Sequence, residues 1–404
     1  MKAEWTSKPI GDVFKVVNGG TPKTGIASNW DGPHAWITPA EMGKLDTPYI
    51  SESRRTLTDE GLRTSAELVP AGSIILSSRA PIGHLVINEI PMAFNQGCKG
   101  LIPSPALDTK FAYYFLLTNV PLLESLGTGA TFKELSGGKL KEVLFQFPGL
   151  DEQRSIVTAL DEVFVDIASA RANVEKNLQN ARALFESRMH TLLEENQNWE
   201  RVQLENLLSR GWITSHLDGN HGSDYPKKEE FVDYGVPYIA ARALRGWEVD
   251  FSEAKYLTHE RAATIRKGLA QDGDVLFAHN ATVGPVGVLK TKEPFVILGT
   301  SLTYYRCNEE FILPEYLAHY MRSPAFVNQY SQVMKQSTRN QVPITKQREF
   351  FHVIPPLSIQ KKIATDLDSL SEKIELIESI YRQKLIALDA LKKSLLHQAF
   401  SGQL

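Results

Sequence analysis

The stretch Phe147-Pro148-Gly149-Leu150-Asp151-Glu152-Gln153-Arg154 returns 207 residues later as Ile354-Pro355-Pro356-Leu357-Ser358-Ile359-Gln360-Lys361. Under that shift residues 131–163 lie over 338–370 with 10 identities in 33 positions, where ordinary residue usage gives roughly two. Gln153/Gln360, Thr158/Thr365, Leu160/Leu367 and Asp161/Asp368 are among the identical pairs. Upstream the match is looser but keeps its order. Arg55-Thr56-Leu57-Thr58 parallels Lys255-Tyr256-Leu257-Thr258, and Gly72-Ser73-Ile74-Ile75-Leu76 parallels Gly273-Asp274-Val275-Leu276-Phe277. Trp5, Ile10 and Val13 open the first half as Trp199, Leu204 and Leu207 open the second. The chain reads as a duplicated unit with halves of about 1–196 and 197–404.

After each proline, turn chemistry gives way to helix periodicity. Proline suits a helix start because its ring fixes φ where no hydrogen bond is needed. The apolar positions of the first run are Ile156, Leu160, Val163, Ile167, Ala170, Val174, Leu178, Ala181 and Leu184. Each has a copy 207 residues on, at Ile363, Leu367, Leu370, Ile374, Ile377, Tyr381, Leu385, Leu388 and Leu391. The spacing 4-3-4-3-4-4-3-3 is a heptad seam with one irregularity. About 45 residues at 1.5 Å each make a rod on the order of 70 Å. Such a rod cannot cover its own seam and needs a partner helix. The partner is either a second chain, as in a coiled-coil homodimer, or the other internal copy, paired antiparallel. Runs such as 73–76 and 274–277, bounded by Gly and Pro, read as strands; 111–117 and 315–321 read as short helices. The expected class is α+β. Two similar mixed α/β domains at 1–150 and 197–356 are separated by two long antiparallel helices at 151–196 and 357–404, forming a coiled coil with an internal pseudo-two-fold repeat.

Hydrophobic residues make up 42% and charged residues 23%, an ordinary globular balance. No run approaches 18 consecutive apolar residues, so no membrane-spanning helix is expected. The start, Met1-Lys2-Ala3-Glu4-Trp5-Thr6, has an acid and no apolar run, so no secretory leader is expected. Cys98 and Cys307 are the only cysteines, which fits a reducing cytoplasm and argues against a disulfide scaffold or a zinc site. A net charge of −3 announces no global field for nucleic acid, so any such surface must be local. There is no G-x-x-x-x-G-K-[ST] loop, no HExxH and no G-x-S-x-G. Pro355-Pro356 lacks the preceding Asn or Asp and following aromatic of an amino-methyltransferase. The chain reads as non-catalytic.

Polar loops carry the candidate contacts. Lys335-Gln336-Ser337-Thr338-Arg339-Asn340-Gln341 joins cations, amides and hydroxyls. These groups hold phosphates and read base edges, Arg bidentate to guanine and Asn or Gln to adenine. Its candidates are Thr338, Arg339 and Asn340; the counterpart in the first half keeps Thr131 and Lys133. Basic pairs follow both, Lys139 with Lys141 and Lys346 with Arg348. Gly-rich segments could bring backbone N–H groups to a phosphate. One offers Gly19, Gly20, Thr21, Lys23 and Thr24; the other offers Asp218, Asn220, His221 and Ser223. Arg79 and Asn280 stand at equivalent places before a glycine. Trp36, Thr38 and Arg242 complete the set. Each of these loops, taken alone, reads more readily as a solvated turn; recurrence in both halves favours the group. His221 has no second His or Cys at ligand spacing, so no metal is expected.

The chain resembles the specificity (S) subunit of type I restriction-modification systems over essentially its full length. The resemblance rests on 147–154 and its copy, on Gly19-Gly20-Thr21-Pro22, Trp36-Ile37-Thr38 and Arg79-Ala80-Pro81-Ile82-Gly83, and on the ending Ala399-Phe400-Ser401-Gly402-Gln403-Leu404. The family pattern has Pro-Pro-Leu and Glu-Gln in both copies; Gly149 and Ile359 depart from it. The resemblance implies two target-recognition domains, each reading one half of a bipartite double-stranded DNA site, with the long helices as a ruler for the unread gap. The dissimilar Gly-rich segments imply an asymmetric site. It also implies two methylation (M) subunits for adenine-N6 methylation from S-adenosylmethionine, and restriction (R) subunits using ATP and Mg, with no cofactor in this chain. Gln153, Arg154, Gln360 and Lys361 are then candidates for docking those partners. The rival reading is a non-catalytic duplicated coiled-coil adaptor that binds proteins. Salt-sensitive DNA binding separates the two.

Overall fold

The computed structural model describes residues 5–129, 133–194, 198–245, 248–336 and 340–401. By contacts the chain groups into two units, 1–174 with 382–404, and 175–381. Each unit therefore holds one mixed α/β domain and a segment of both long helices.

In the first unit a five-stranded sheet runs in the order Phe14–Asn18, Cys98–Pro103, Ile74–Ser78, Ile82–Asn88, Tyr49–Ile50. A three-stranded sheet, Arg55–Leu57, Trp30–Ile37, Met92–Phe94, covers one side. The apolar run Ile74-Ile75-Leu76 is unbroken because its strand is central and buried on both faces. Ile74 and Leu76 pack towards the helix Thr109–Thr118, with Phe111 and Phe115. Ile75 points the other way, into Val17, Ile37, Met92 and Phe94. The second unit repeats the division: Val275 and Phe277 face one core, Leu276 and Ala278 the other.

The long helices run Leu150–Glu194 and Leu357–Phe400. In the first unit Leu160 and Phe164 of the first helix and Leu396, Ala399 and Phe400 of the second join the domain core. The Phe400 ring lies 5.1 Å from Phe111 and 5.6 Å from Phe115. In the second unit Ile363 and Leu367 of the second helix and Met189 and Leu193 of the first do the same. Met189 and Leu193 are Leu396 and Phe400 less 207. The segments run antiparallel within each unit. Lys392 lies over Phe164 and Arg171 pairs with Asp389 in the first; Arg182 pairs with Glu378 and Arg188 with Asp366 in the second.

The seam departs from the heptad count. Val163 and Leu184 are 37% and 61% exposed, and Ile377 and Leu391 are exposed too. Phe164 and Phe185 turn inward instead, Phe164 with its ring 5.5 Å from Tyr114. A helix of 3.6 residues per turn drifts against a 3.5 repeat, and the larger ring beside the domain core takes the inward place because it buries more apolar area.

Each helix is tied to its own domain at its head. Gln153 Nε2 donates to the carbonyls of Ala106 (3.0 Å) and Pro148 (2.8 Å), and its Oε1 accepts from Asp108 N–H at 2.8 Å. Gln360 repeats this with Phe311 (2.8 Å), Pro355 (2.8 Å) and Leu313 N–H (2.9 Å). Two turns on, Asp161 accepts from Tyr114 Oη at 2.6 Å and Lys110 Nζ at 2.7 Å, while Asp368 pairs with His319 at 2.7 Å. The expectation that Gln153 and Gln360 face a partner is not met. Both are fully buried, and their amides are spent on backbone groups. Arg154 and Lys361 are exposed.

Gln153→Ala or Gln360→Ala should leave a buried N–H and two carbonyls without these partners. At about 1–3 kcal/mol for each buried group left unpaired, denaturant unfolding of the affected unit shifts clearly downward. Arg154→Ala and Lys361→Ala should stay within about 0.5 kcal/mol of the parent. Equal effects for both pairs would contradict the assignment.

Candidate nucleic-acid interface

In the first unit the turn after Phe14–Asn18 sits on neighbouring backbone. Gly19 N–H donates to Cys98 O at 3.2 Å and Gly20 N–H to Phe94 O at 2.9 Å. A Cβ at Gly19 would come within 1.9 Å of Asn95 O, and one at Gly20 within 1.5 Å of Ser65 O. Thr21 Oγ1 bonds to Gln96 in the adjoining loop. Ser78 N–H donates to Gly97 O at 2.7 Å, and Leu135 N–H to Ser78 O at 2.8 Å. The Arg79 guanidinium lies 3.8 Å from Glu134. Segments 19–21, 94–97, 78–80 and 133–135 thus form one continuous rim, with exposed Ala80 at its hairpin tip in the left-handed region (φ 50°).

The second unit builds the same rim from other side chains. Gly219 N–H donates to Leu302 O and Asn220 N–H to Leu298 O, both at 2.7 Å. His279 N–H reaches Ser301 O at 2.9 Å. Ala281, left-handed at φ 63°, gives its N–H to Asn340 O at 3.0 Å and receives the Asn340 side-chain amide on its carbonyl. Non-glycine residues in that conformation store about 1 kcal/mol or more and persist only when surroundings hold them. The two tips share it at equivalent places.

Beneath the second rim lies a buried polar hub. Gln347 Oε1 accepts from Thr303 (3.0 Å), Tyr305 (2.9 Å) and His216 Nε2–H (3.1 Å), and its Nε2 donates to Val342 O at 3.1 Å. Val342 N–H in turn donates to His279 O at 2.8 Å. Burial pushes His216 down to about 4 and His352 to about 3, and it lowers His279 as well. In the first repeat the places of Gln347 and His352 hold Leu140 and Phe145, both buried in the apolar core.

Several sequence candidates have structural tasks instead. The Gly19, Gly20, Gly219 and Asn220 amides are engaged with carbonyls, so they offer no phosphate cradle. Asn220 is itself fully buried. Trp36 is 4% exposed, edge-on to Trp30 at 5.2 Å, with Nε1–H on Gly20 O, and has no free face for a base. Thr38 caps a short helix through Glu41. Lys139 Nζ donates to Leu126 O at 3.0 Å. Arg242, Lys346, Arg348 and His221 instead stay at the surface, paired with Glu253, Glu349, Glu205 and Asp218 as Arg79 is with Glu134, and remain candidates. Lys23, Thr24, Lys133 and Lys141 are exposed; Arg79, Asn280 and Asn340 stand on the rims. Thr131, Thr338, Arg339 and the Ser223 side chain lie outside the described residues. The loops 94–97 and 299–301 escaped the sequence reading, though Asn95-Gln96-Gly97 carries a turn signal. Among the described residues no His, Cys, Asp and Glu cluster could hold a metal, and no helix is long and apolar enough to cross a membrane.

The family described as type I restriction modification DNA specificity domain matches residues 2–176 and 198–383. The type I restriction enzyme MjaIX specificity subunit of Methanocaldococcus jannaschii is 26% identical over 428 aligned residues, covering 99% of this chain and 94% of that protein. The EcoKI specificity subunit of Escherichia coli K12 is 23% identical, covering 99% and 89%. Among solved structures, a chain described under complex assembly and conformational transition of the type I R-M system superposes with a TM-score of 0.80 at 15% identity, over all of both chains. The HsdS subunit of Thermoanaerobacter tengcongensis gives 0.56 at 15%, covering 99% and 97%. These likenesses bear on the fold.

The buried histidines make the second unit acid-labile. Folded His216 stays neutral down to about 4, whereas the unfolded imidazole takes up its proton near 6.5. Stability is therefore intact above that value and is lost as pH falls from about 6.5 to 4, by roughly 3 kcal/mol from His216 alone. The first unit's His34, His84 and His397 are at least partly exposed. Hydrogen exchange at pH 7 and about 4.5 should show amides of 198–336 loosening before those of 5–129. The reverse order would refute this.

Proposed function

The chain belongs to the type I restriction modification DNA specificity family, as a specificity subunit with two target-recognition domains, and on that basis we propose that each rim reads one part of a two-part DNA site. The observation that carries this is the same rim built twice on different side chains. Arg79 occupies one hairpin tip and Asn280 the other. A guanidinium pairs with the O6 and N7 of guanine, whereas an amide pairs with the N6 and N7 of adenine. Different tips make the two parts different, so the site is asymmetric.

The chain supplies address rather than chemistry. Adenine methylation from S-adenosylmethionine and ATP- and Mg-dependent cleavage belong to methylation and restriction subunits that assemble on it. Arg154 and Lys361, exposed beside the buried glutamines, are the candidates left for holding them. The exposed cations Lys23 and Lys133 of the rim loops would touch phosphates, and Lys141, on the helix Gly137–Glu142, is a further candidate.

Arg79→Ala should relax discrimination in one part of the site only, and Asn280→Ala in the other. Each loss should be about 1–3 kcal/mol if the contact is bidentate. Competition binding by the assembled methylation complex, on duplexes altered in one part at a time, reads this directly. Loss in both parts from either substitution, or in neither, would refute the assignment.

A further inference from the structure

We propose that Arg266 and Lys267 form a phosphate-binding pair on the second rim, with no counterpart on the first. The inference rests on the reading above, that the rims meet DNA, and names a contact that reading does not include.

The pair lies in the four-residue link, Ile265 to Gly268, between the helix His259–Thr264 and the strand Leu269–Ala270. That link abuts the rim. Gly268 is left-handed at φ +72°, and a Cβ there would lie 2.7 Å from Asn220 N and 2.9 Å from Gly219 Cα. Only glycine lets the link approach the Gly219–Asn220 turn so closely. The link is also held from behind. Leu298 N–H donates to Gly268 O at 2.8 Å, and Arg306 Nη2 donates to Leu269 O at 3.2 Å. Arg306 is fixed in turn by two bonds to Asp274, at 2.9 and 2.8 Å. The backbone under the two cations is therefore already ordered, and a ligand need not supply that entropy.

Arg266 and Lys267 are both exposed, and neither is paired with a carboxylate among the described residues. Most other arginines near this rim are committed: Arg242, Arg261, Arg306 and Arg348 each have a carboxylate partner. Adjacent like charges on a pinned loop are neutralised best by an anion that spans both. A duplex backbone offers one, as a run of phosphates, and Arg can take a phosphate through two parallel N–H bonds. The rim then continues from 266–268 through 219–221 and 299–301 to Asn280 and Asn340, cations at one end and amides at the other.

The corresponding link of the first domain, between the helix Asp59–Ser65 and Gly72, begins Ala66-Glu67, and Glu67 pairs with Lys15 at 2.9 Å. The first rim therefore carries a neutralised acid where the second carries two free cations.

The test is equilibrium binding of the full chain, assembled with its methylation subunits, to site-bearing and site-scrambled duplexes from about 50 to 200 mM salt. Arg266→Gln with Lys267→Gln should reduce the magnitude of the salt slope by about 1.8, two contacts at 0.9 each. It should weaken both duplexes by the same factor and leave the unfolding midpoint unchanged, since both side chains are exposed. A steep parental slope that the double substitution leaves untouched would overturn the pair while the functional reading stands. A parental affinity indifferent to salt would overturn both.

Discussion

A buried glutamine at the head of each long helix is the contact on which the rest of each unit depends. Gln153 and Gln360 each satisfy one backbone N–H and two carbonyls where water is excluded. The directional bonds fix how the helix leaves the domain, which apolar packing alone would not do. Once that exit is set, Leu160 or Leu367 falls into the domain core, and Asp161 or Asp368 meets its partner two turns further on. The incoming end of the other helix, Leu396 to Phe400 or Met189 to Leu193, then fills the remaining apolar space.

Duplication has kept this scaffold and released the surface. Tyr114 and His319 meet the same aspartate position with different donors. Leu140 and Phe145 are exchanged for Gln347 and His352 beneath the second rim, replacing an apolar floor by a hydrogen-bonded one. A polar floor is costly where a buried group stays unmatched, as His216 Nδ1 and His352 Nε2 do, while its Gln347 bonds hold the loop in one orientation. The rims sit on these floors and carry different side chains, Arg79 and Asn280, beside their tips.

Much of this was legible in the sequence, for physical reasons. Helix and strand periodicities of 3.6 and 2 follow from backbone geometry, so the long helices and the strands around Ile74 and Val275 could be read directly. The self-match at 207 residues exposed the duplication without any other protein. What stayed hidden is which way a polar residue faces. Gln153 and Gln360 recur because they are buried, yet a recurring glutamine looks the same at a docking surface. Gly19 and Gly20 are glycines because Asn95 O and Ser65 O leave no room for a Cβ, not because a phosphate approaches. Trp36, a candidate DNA contact in the sequence, is instead a core residue against Trp30. The rims themselves join segments such as 19–21, 78–80, 94–97 and 133–135, and no local pattern reports a juxtaposition made by sheet pairing.

On the proposed reading each domain carries its own half of the DNA address, and the scaffold is indifferent to which domain it holds. The most direct measurement replaces residues 1–149 by a second copy of 197–356, leaving both long helices intact, and maps adenine methylation across the genome of cells supplying the partner subunits. A symmetric target is the predicted result, with the present second half-site appearing twice in inverted orientation. Methylation that persists at the parental asymmetric target would contradict the claim.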